Sequence, residues 1–229
     1  MRSLLVLAGV LLCAAGASAA WFDGFEGYPN GQNLFGVGGW SGWDNNPGAT
    51  AYVTQAQAYK GIQSVDINGP SDLVQQFSGY TSGVHFFVAW QYVPSNMTGN
   101  TYFIMLDQYT PVVGPDHWTV QVWMDASKGL VHDDFTGKEL PLITDKWVQI
   151  LVNIDLNNDK KEIWYGGALL STQSWTVDAT GKLNIGCVDL YANNASSAYY
   201  DNIGLDVIPE PALLSFVGLG VFALLRRRR

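Results

Sequence analysis

Carboxylates, histidines and tryptophans are the side chains through which this sequence could do chemistry. A retaining glycosidase needs two carboxyl groups about 5 Å apart across the bond it cuts. Carried on a single strand, the two must share one face, an even number of residues apart. Between residues 21 and 207 the only glutamates are Glu26, Glu139 and Glu162, and none belongs to such a run. His85, His117 and His132 are far apart in the chain, with no nucleophile elbow beside them. These absences predict a domain that is not an enzyme. Tryptophan is the stronger signal: nine are present, all between Trp21 and Trp175. An exposed indole gives a flat platform for a sugar face, whereas a buried one fills about 150–250 Å² of core. The candidate glycan-binding rings are Trp40, Trp43, Trp90 and Trp123. Trp40 and Trp43 share a segment with Asp44, Asn45 and Asn46, between Gly36 and Gly48. In the alternating stretch from His117, Trp118 has the parity of Val120, Val122 and Met124, and Trp123 has the opposite one. Both rings therefore cannot face one core, and Trp123 is taken as the outward one.

The elements that must hold these residues have a period of two. In Trp147–Asp155, Val148, Ile150, Val152 and Ile154 share a face while Gln149 and Asn153 point the other way. Similar strands are predicted at 63–67, 72–77, 84–92, 101–107, 117–124, 161–165, 183–190 and 199–207. Asn68-Gly69-Pro70, Thr98-Gly99-Asn100, Asn157-Asn158, Gly166-Gly167 and Thr180-Gly181 supply turns between them. No stretch inside the domain has amphipathic helical spacing. The prediction is all-β: one two-sheet antiparallel β-sandwich over 21–207. Cys187 is the single cysteine of that span, so no internal disulfide can form, and the thiol is expected as a small buried group. The span holds seven lysines, no arginine and nineteen carboxylates, a net charge near −12. Nucleic acid, which needs clustered cations along its phosphates, is excluded as a partner.

Several of these strands resemble laminin-G-like, concanavalin-type jelly rolls. The central hairpin is carried by Trp147–Asp155, Asn157-Asn158 and Glu162–Leu170, the opening strand by Phe22-Asp23-Gly24-Phe25-Glu26, and the closing one by Tyr199–Leu205. Gly61–Ile67 is similar to an early strand of such domains. The resemblance implies that the terminal strands pair and bring the chain ends together. It also implies polysaccharide as a ligand and a structural Ca2+ beside the terminal strands, held by Glu26 and Asp201 with Asp23 as a third ligand. No other cofactor is required. The residues alone leave a second reading open, in which Asp23 and Asp201 bond neighbouring turns.

Both ends read as addresses. Met1-Arg2, the apolar run Leu4–Leu12 and Ala17-Ser18-Ala19 form a signal peptide over 1–20. At the other end Pro209-Glu210-Pro211 precedes the uncharged run Ala212–Leu225 and then Arg226, Arg227, Arg228 and Arg229. Fourteen residues make a helix of about 21 Å, short against a hydrocarbon core of about 30 Å unless flanking residues and arginine stems extend it. The arginines would hold the cytoplasmic side. This order of parts over 208–229 resembles the PEP-CTERM sorting signal. That resemblance implies an exosortase and the secretion machinery as partners, a transmembrane helix as a passing inner-membrane anchor, and delivery to the cell surface or extracellular matrix.

Overall fold

The computed structural model describes residues 20–206; the segments assigned above to the leader (1–20) and the sorting signal (208–229) lie outside the described residues, apart from Ala20. Among the described residues, fifteen strands form two antiparallel sheets. One sheet contains β3 (Tyr52–Thr54), β4 (Ser64–Ile67), β6 (Val84–Tyr92), β11 (Trp147–Asp155), β12 (Lys160–Tyr165), β13 (Ala168–Gln173) and β15 (Ala198–Leu205), with β1 (Trp21–Asp23) added against β15. Its order is β13-β12-β11-β6-β15-β4-β3. The other contains β2 (Trp40–Gly42), β5 (Asp72–Gln76), β7 (Asn100–Gln108), β8 (His117–Asp125), β9 (Leu130–Asp133), β10 (Lys138–Pro141) and β14 (Cys187–Asn193), in the order β10-β9-β8-β7-β14-β5-β2. The all-β sandwich predicted from period-two alternation is thus present. Among the described residues no helix is long and apolar enough to cross a membrane.

Alternation decides which residues meet between the sheets. Val148, Ile150, Val152 and Ile154 of β11 and Phe87 and Ala89 of β6 face Phe103 and Met105 of β7, Val120, Val122 and Met124 of β8, and Val188 and Leu190 of β14. All are buried. Gln91 enters this core, where its Nε2 donates to the Tyr200 hydroxyl oxygen at 2.5 Å while its Oε1 has no partner. β1 and β15 pair through Trp21↔Leu205, Phe22↔Gly204 and Asp23↔Ile203, so the first and last strands do meet.

The differences are local. The strand predicted at 183–190 begins later, at Cys187, and runs to Asn193. β2 occupies three residues of the segment read as a loop between Gly36 and Gly48, and β9 and β10 were not predicted. Each is only three or four residues long, too short for alternation to register.

Candidate functional site

Because β5, β14, β7 and β8 bury one face in the core, their other residues form a second surface on the outside of the seven-stranded sheet. Cross-strand register sets those residues in rows. One row runs Gln121, Ile104, Asp189, Val74, and the next runs His132, Trp123, Tyr102, Tyr191, Asp72. Val74, Ile104, Leu106 and Cys187 make a small apolar floor, against which Trp43, Tyr102, Tyr109 and Tyr191 pack. The result is a groove with a cavity of about 210 Å³, lined by Trp43, Asp72, Ile104, Trp118, Gln121, Asp189 and Tyr191.

Trp43 is carried over this floor by a single 3₁₀ turn, Trp43–Asn45, in which Asp44 and Asn45 take left-handed backbone angles. Gly42 must precede it: a Cβ there would lie 2.1 Å from the Asn46 carbonyl oxygen. The turn is tied to the loop after β7 from both sides. The Asp44 N–H donates to the Tyr109 hydroxyl at 2.8 Å, and the Val112 N–H donates to Asp44 Oδ1 at 2.7 Å. Trp43 then stacks on Trp118 at 5.9 Å between ring centroids and leans on Tyr109 at 4.7 Å. Further along the same face Trp123 lies between Tyr102 and His132, at 5.9 and 4.3 Å, with Lys128 over its ring.

Trp118 is the ring that alternation misassigned. Its strand does not keep parity: Met105 pairs with Val120, but Leu106 pairs with Trp118, so Thr119 is an extra residue in the ladder. The irregularity turns Trp118 outward, 38% exposed, onto the face that also carries Trp123. A one-residue insertion leaves no mark in the pattern of residue types, so sequence reading had no means of finding it.

The other predicted rings divide. Trp43 and Trp123 lie on the groove face. Trp40 is 1% exposed, sits in the core against Phe25 and Trp21, and donates its indole N–H to Asp23 Oδ2 at 2.8 Å, which corrects its assignment as a sugar platform. Trp90 belongs to β6 in the opposite sheet, and Tyr59 covers it at 3.8 Å, so it cannot share a ligand site with the other two. It borders a separate cavity of about 400 Å³ with Lys146, Trp147 and Gln149.

The three carboxylates assigned to a Ca2+ are engaged by donors. Asp23 accepts from the Phe25 N–H, the Tyr28 hydroxyl and the Trp40 indole. Glu26 Oε1 accepts from the Ile62 and Gln63 N–H groups. Asp201 Oδ2 accepts from the Tyr59 and Lys60 N–H groups, and its Oδ1 from Asn202. Glu26 and Asp201 thus grip one loop, 59–63, from two sides. Among the described residues no three His, Cys, Asp or Glu side chains are grouped as metal ligands. The histidines also stay apart, each on its own carboxylates: His85 with Asp206, His117 with Asp107 and Asp178, and His132 with Glu139.

The groove has acids that sequence reading passed over. Asp189 is 2% exposed and lies beside Asp72, its diagonal neighbour on β5. Burial, and then the charge of Asp72, push the Asp189 carboxyl well above the usual range. Burial raises Asp72 as well, with the charge of Asp44 adding to it. Asp189 Oδ1 has no hydrogen-bond partner. Neither acid belongs to a motif, and only the pairing of β5 with β14 joins them.

No protein-family profile matches the chain, and no curated protein matches it by sequence. Its fold is similar to that of solved structures. An alginate lyase in complex with an alginate trisaccharide superposes with a TM-score of 0.52 at 14% identity, over 83% of this chain and 98% of that one. The globular domain of Trypanosoma cruzi calreticulin gives 0.52 at 11% identity, over 82% and 91%. An endo-β-1,4-glucuronan lyase from Trichoderma reesei gives 0.49 at 12% identity, over 78% and 94%. At such identities the likeness is one of fold. It nevertheless corrects the expectation that the domain is not an enzyme. The same double sheet is the scaffold of an alginate lyase, so a missing glycosidase carboxylate run does not exclude catalysis.

Proposed function

We propose that this is an exported protein that binds glycan in the groove on the outer face of the seven-stranded sheet. The Trp43–Trp118 stack above a floor that ends in Asp72, Gln121 and Asp189 carries the reading. Flat apolar rings with hydrogen-bonding groups between them match a sugar, which has apolar C–H faces and a hydroxyl rim. A cavity of about 210 Å³ suits one ring of an extended chain more than a ligand enclosed whole. Export rests on the signal peptide of 1–20 and the Pro209–Pro211, apolar-run and Arg226–Arg229 pattern. The pattern supports recognition by an exosortase, a membrane-held intermediate, and final placement at the cell surface or in the surrounding matrix.

Calorimetric titration with oligosaccharides tests the binding reading. Trp43→Ala and Trp118→Ala should each weaken binding by about 1–3 kcal/mol, the worth of one stacked ring at a hot spot. Trp90→Ala, on the other sheet, should leave affinity unchanged. Equal loss from Trp90→Ala and none from Trp118→Ala would move the site to the opposite face. If no glycan binds and the protein self-associates with divalent cations, its place in a matrix is structural only.

A further inference from the structure

Two aspartates side by side inside an aromatic groove need a reason, since like charges in a desolvated site repel. A hydrogen bond between two carboxyl groups requires a proton on one of them. Asp72 and Asp189 stand as diagonal neighbours on β5 and β14, Asp189 buried, and the cavity they border is lined by no lysine, arginine or histidine that could offset two charges. Asp189 Oδ1 is buried and lacks a partner, and Asp189 lines the cavity. An orphan oxygen of this kind in a polar cleft is a place held for a ligand atom. Its neighbours in that wall are Gln121, which can donate and accept, and the rings of Trp43, Trp118 and Tyr191.

We propose that Asp72 and Asp189 hold one proton between them and offer their free oxygens to the hydroxyls of an uncharged sugar, so that the groove admits neutral glycans and rejects uronates. The assignment rests on the glycan-binding reading above and narrows it. A uronate carboxylate placed here would meet a net negative carboxyl pair with no cation to receive it. A neutral pyranose hydroxyl can donate to Asp189 Oδ1 while its ring stacks on indole.

The other titratable groups around the pair do not replace this proton. Asp44 approaches from the Trp43–Asn45 turn and adds negative charge. Tyr109, from the loop after β7, is pushed up to about 12 by burial, and burial also raises Tyr102 of β7. Tyr191 and Cys187 flank Asp189 on β14, the thiol raised well above its usual range by burial and then by Asp189, with the charges of Asp116 and Asp72 adding to it.

The test is calorimetric titration of the full chain with β-1,4-mannohexaose, matched cellohexaose and the β-1,4-mannuronate hexamer, which differs from the first only at C6. At least one neutral hexamer should bind, and the uronate at least about tenfold more weakly. Above the ionisation of the pair, neutral-sugar affinity should fall about tenfold per pH unit, the signature of one required proton. Asp189→Asn fixes a neutral donor in place and should bind with that fall abolished. Near-UV circular dichroism checks its fold, and Asp72→Asn is read instead if it fails. Equal affinity for the uronate, a flat pH profile to about pH 10, or an unchanged fall in the Asn variant overturns the assignment. If Trp43→Ala and Trp118→Ala still weaken binding in that case, the groove stands and only the shared proton is lost. If those substitutions change nothing, or no neutral hexamer binds, both readings fall.

Discussion

Lys161 lies inside the sandwich with none of its surface exposed. Its amine donates to the Ser174 carbonyl at 2.6 Å and to the Thr119 hydroxyl at 3.3 Å, and it lies near the rings of Trp175 and Phe135. Burial pulls it down to about 7, against the counter-pull of Asp133, Asp159 and Asp107. An unfolded lysine keeps its proton up to about 10.5, so between these values the unfolded chain binds more protons than the folded one. Stability should therefore rise as pH increases from about 7 to about 9, with the full cost of burying the charge below 7; above 9 the buried Cys187 thiol and the buried tyrosines, which ionise sooner in the unfolded chain, pull the other way. Urea unfolding across that range checks the sign, with an expected span of a few kcal/mol. Lys161→Met should remove most of the slope. Sequence reading placed this lysine in a strand and had no ground for burying it. Its alternation partners Ile163 and Tyr165 point inward, and a lysine sharing their parity reads as a strand end in solvent. The nine tryptophans were visible as candidates from type alone, but type does not separate Trp40 in the core from Trp43 over the groove, three residues later.

At the scale of elements, the strands legible in the sequence are those long enough to alternate. β6 and β11 were predicted to the residue, and β5, β7, β8, β12 and β15 to within two residues at either end. Apart from β2, β3, β9, β10 and β13, what escaped was irregular: the extra residue at Thr119, and the turn that lifts Trp43. These two features build the groove, and each depends on one backbone position. Gly42→Ala puts a Cβ 2.1 Å from one carbonyl oxygen and 2.9 Å from another, so the turn must shift. The expected loss is about 1–3 kcal/mol in urea unfolding, together with weaker oligosaccharide binding and a changed Trp43 environment in near-UV circular dichroism. The loop 59–63 is a separate test of local design. Glu26→Gln keeps the size but removes the charge that accepts from two backbone N–H groups, and should cost about 1–3 kcal/mol without affecting the groove on the other sheet. Loss of binding in this variant, with stability intact, would contradict the separation of the two regions.

For the molecule as a whole, composition and period gave the double sheet, whereas contacts between strands distant in sequence decide which face can bind. Asp72 and Asp189 are 117 residues apart and meet only because β5 and β14 are neighbours. No local pattern encodes that. Global charge is legible directly, and has a consequence of its own. A span with a net charge near −12 repels itself, and screening should relieve that repulsion. Raising salt from about 10 mM to about 150 mM shortens the screening length from about 30 Å to about 8 Å. The thermal midpoint should rise over that interval, where a fold held mainly by surface ion pairs would show a fall.

The closing strand pair also sets how the domain would carry load. Trp21 faces Leu205 at the outer end of a three-pair ladder, so the chain enters and leaves at one point. Tension applied between the two ends would draw the ladder apart one rung at a time, like a zip, without shearing all three rungs together. β1 should peel first and at low force, while the groove, on the opposite sheet, would keep its shape after that strand had gone.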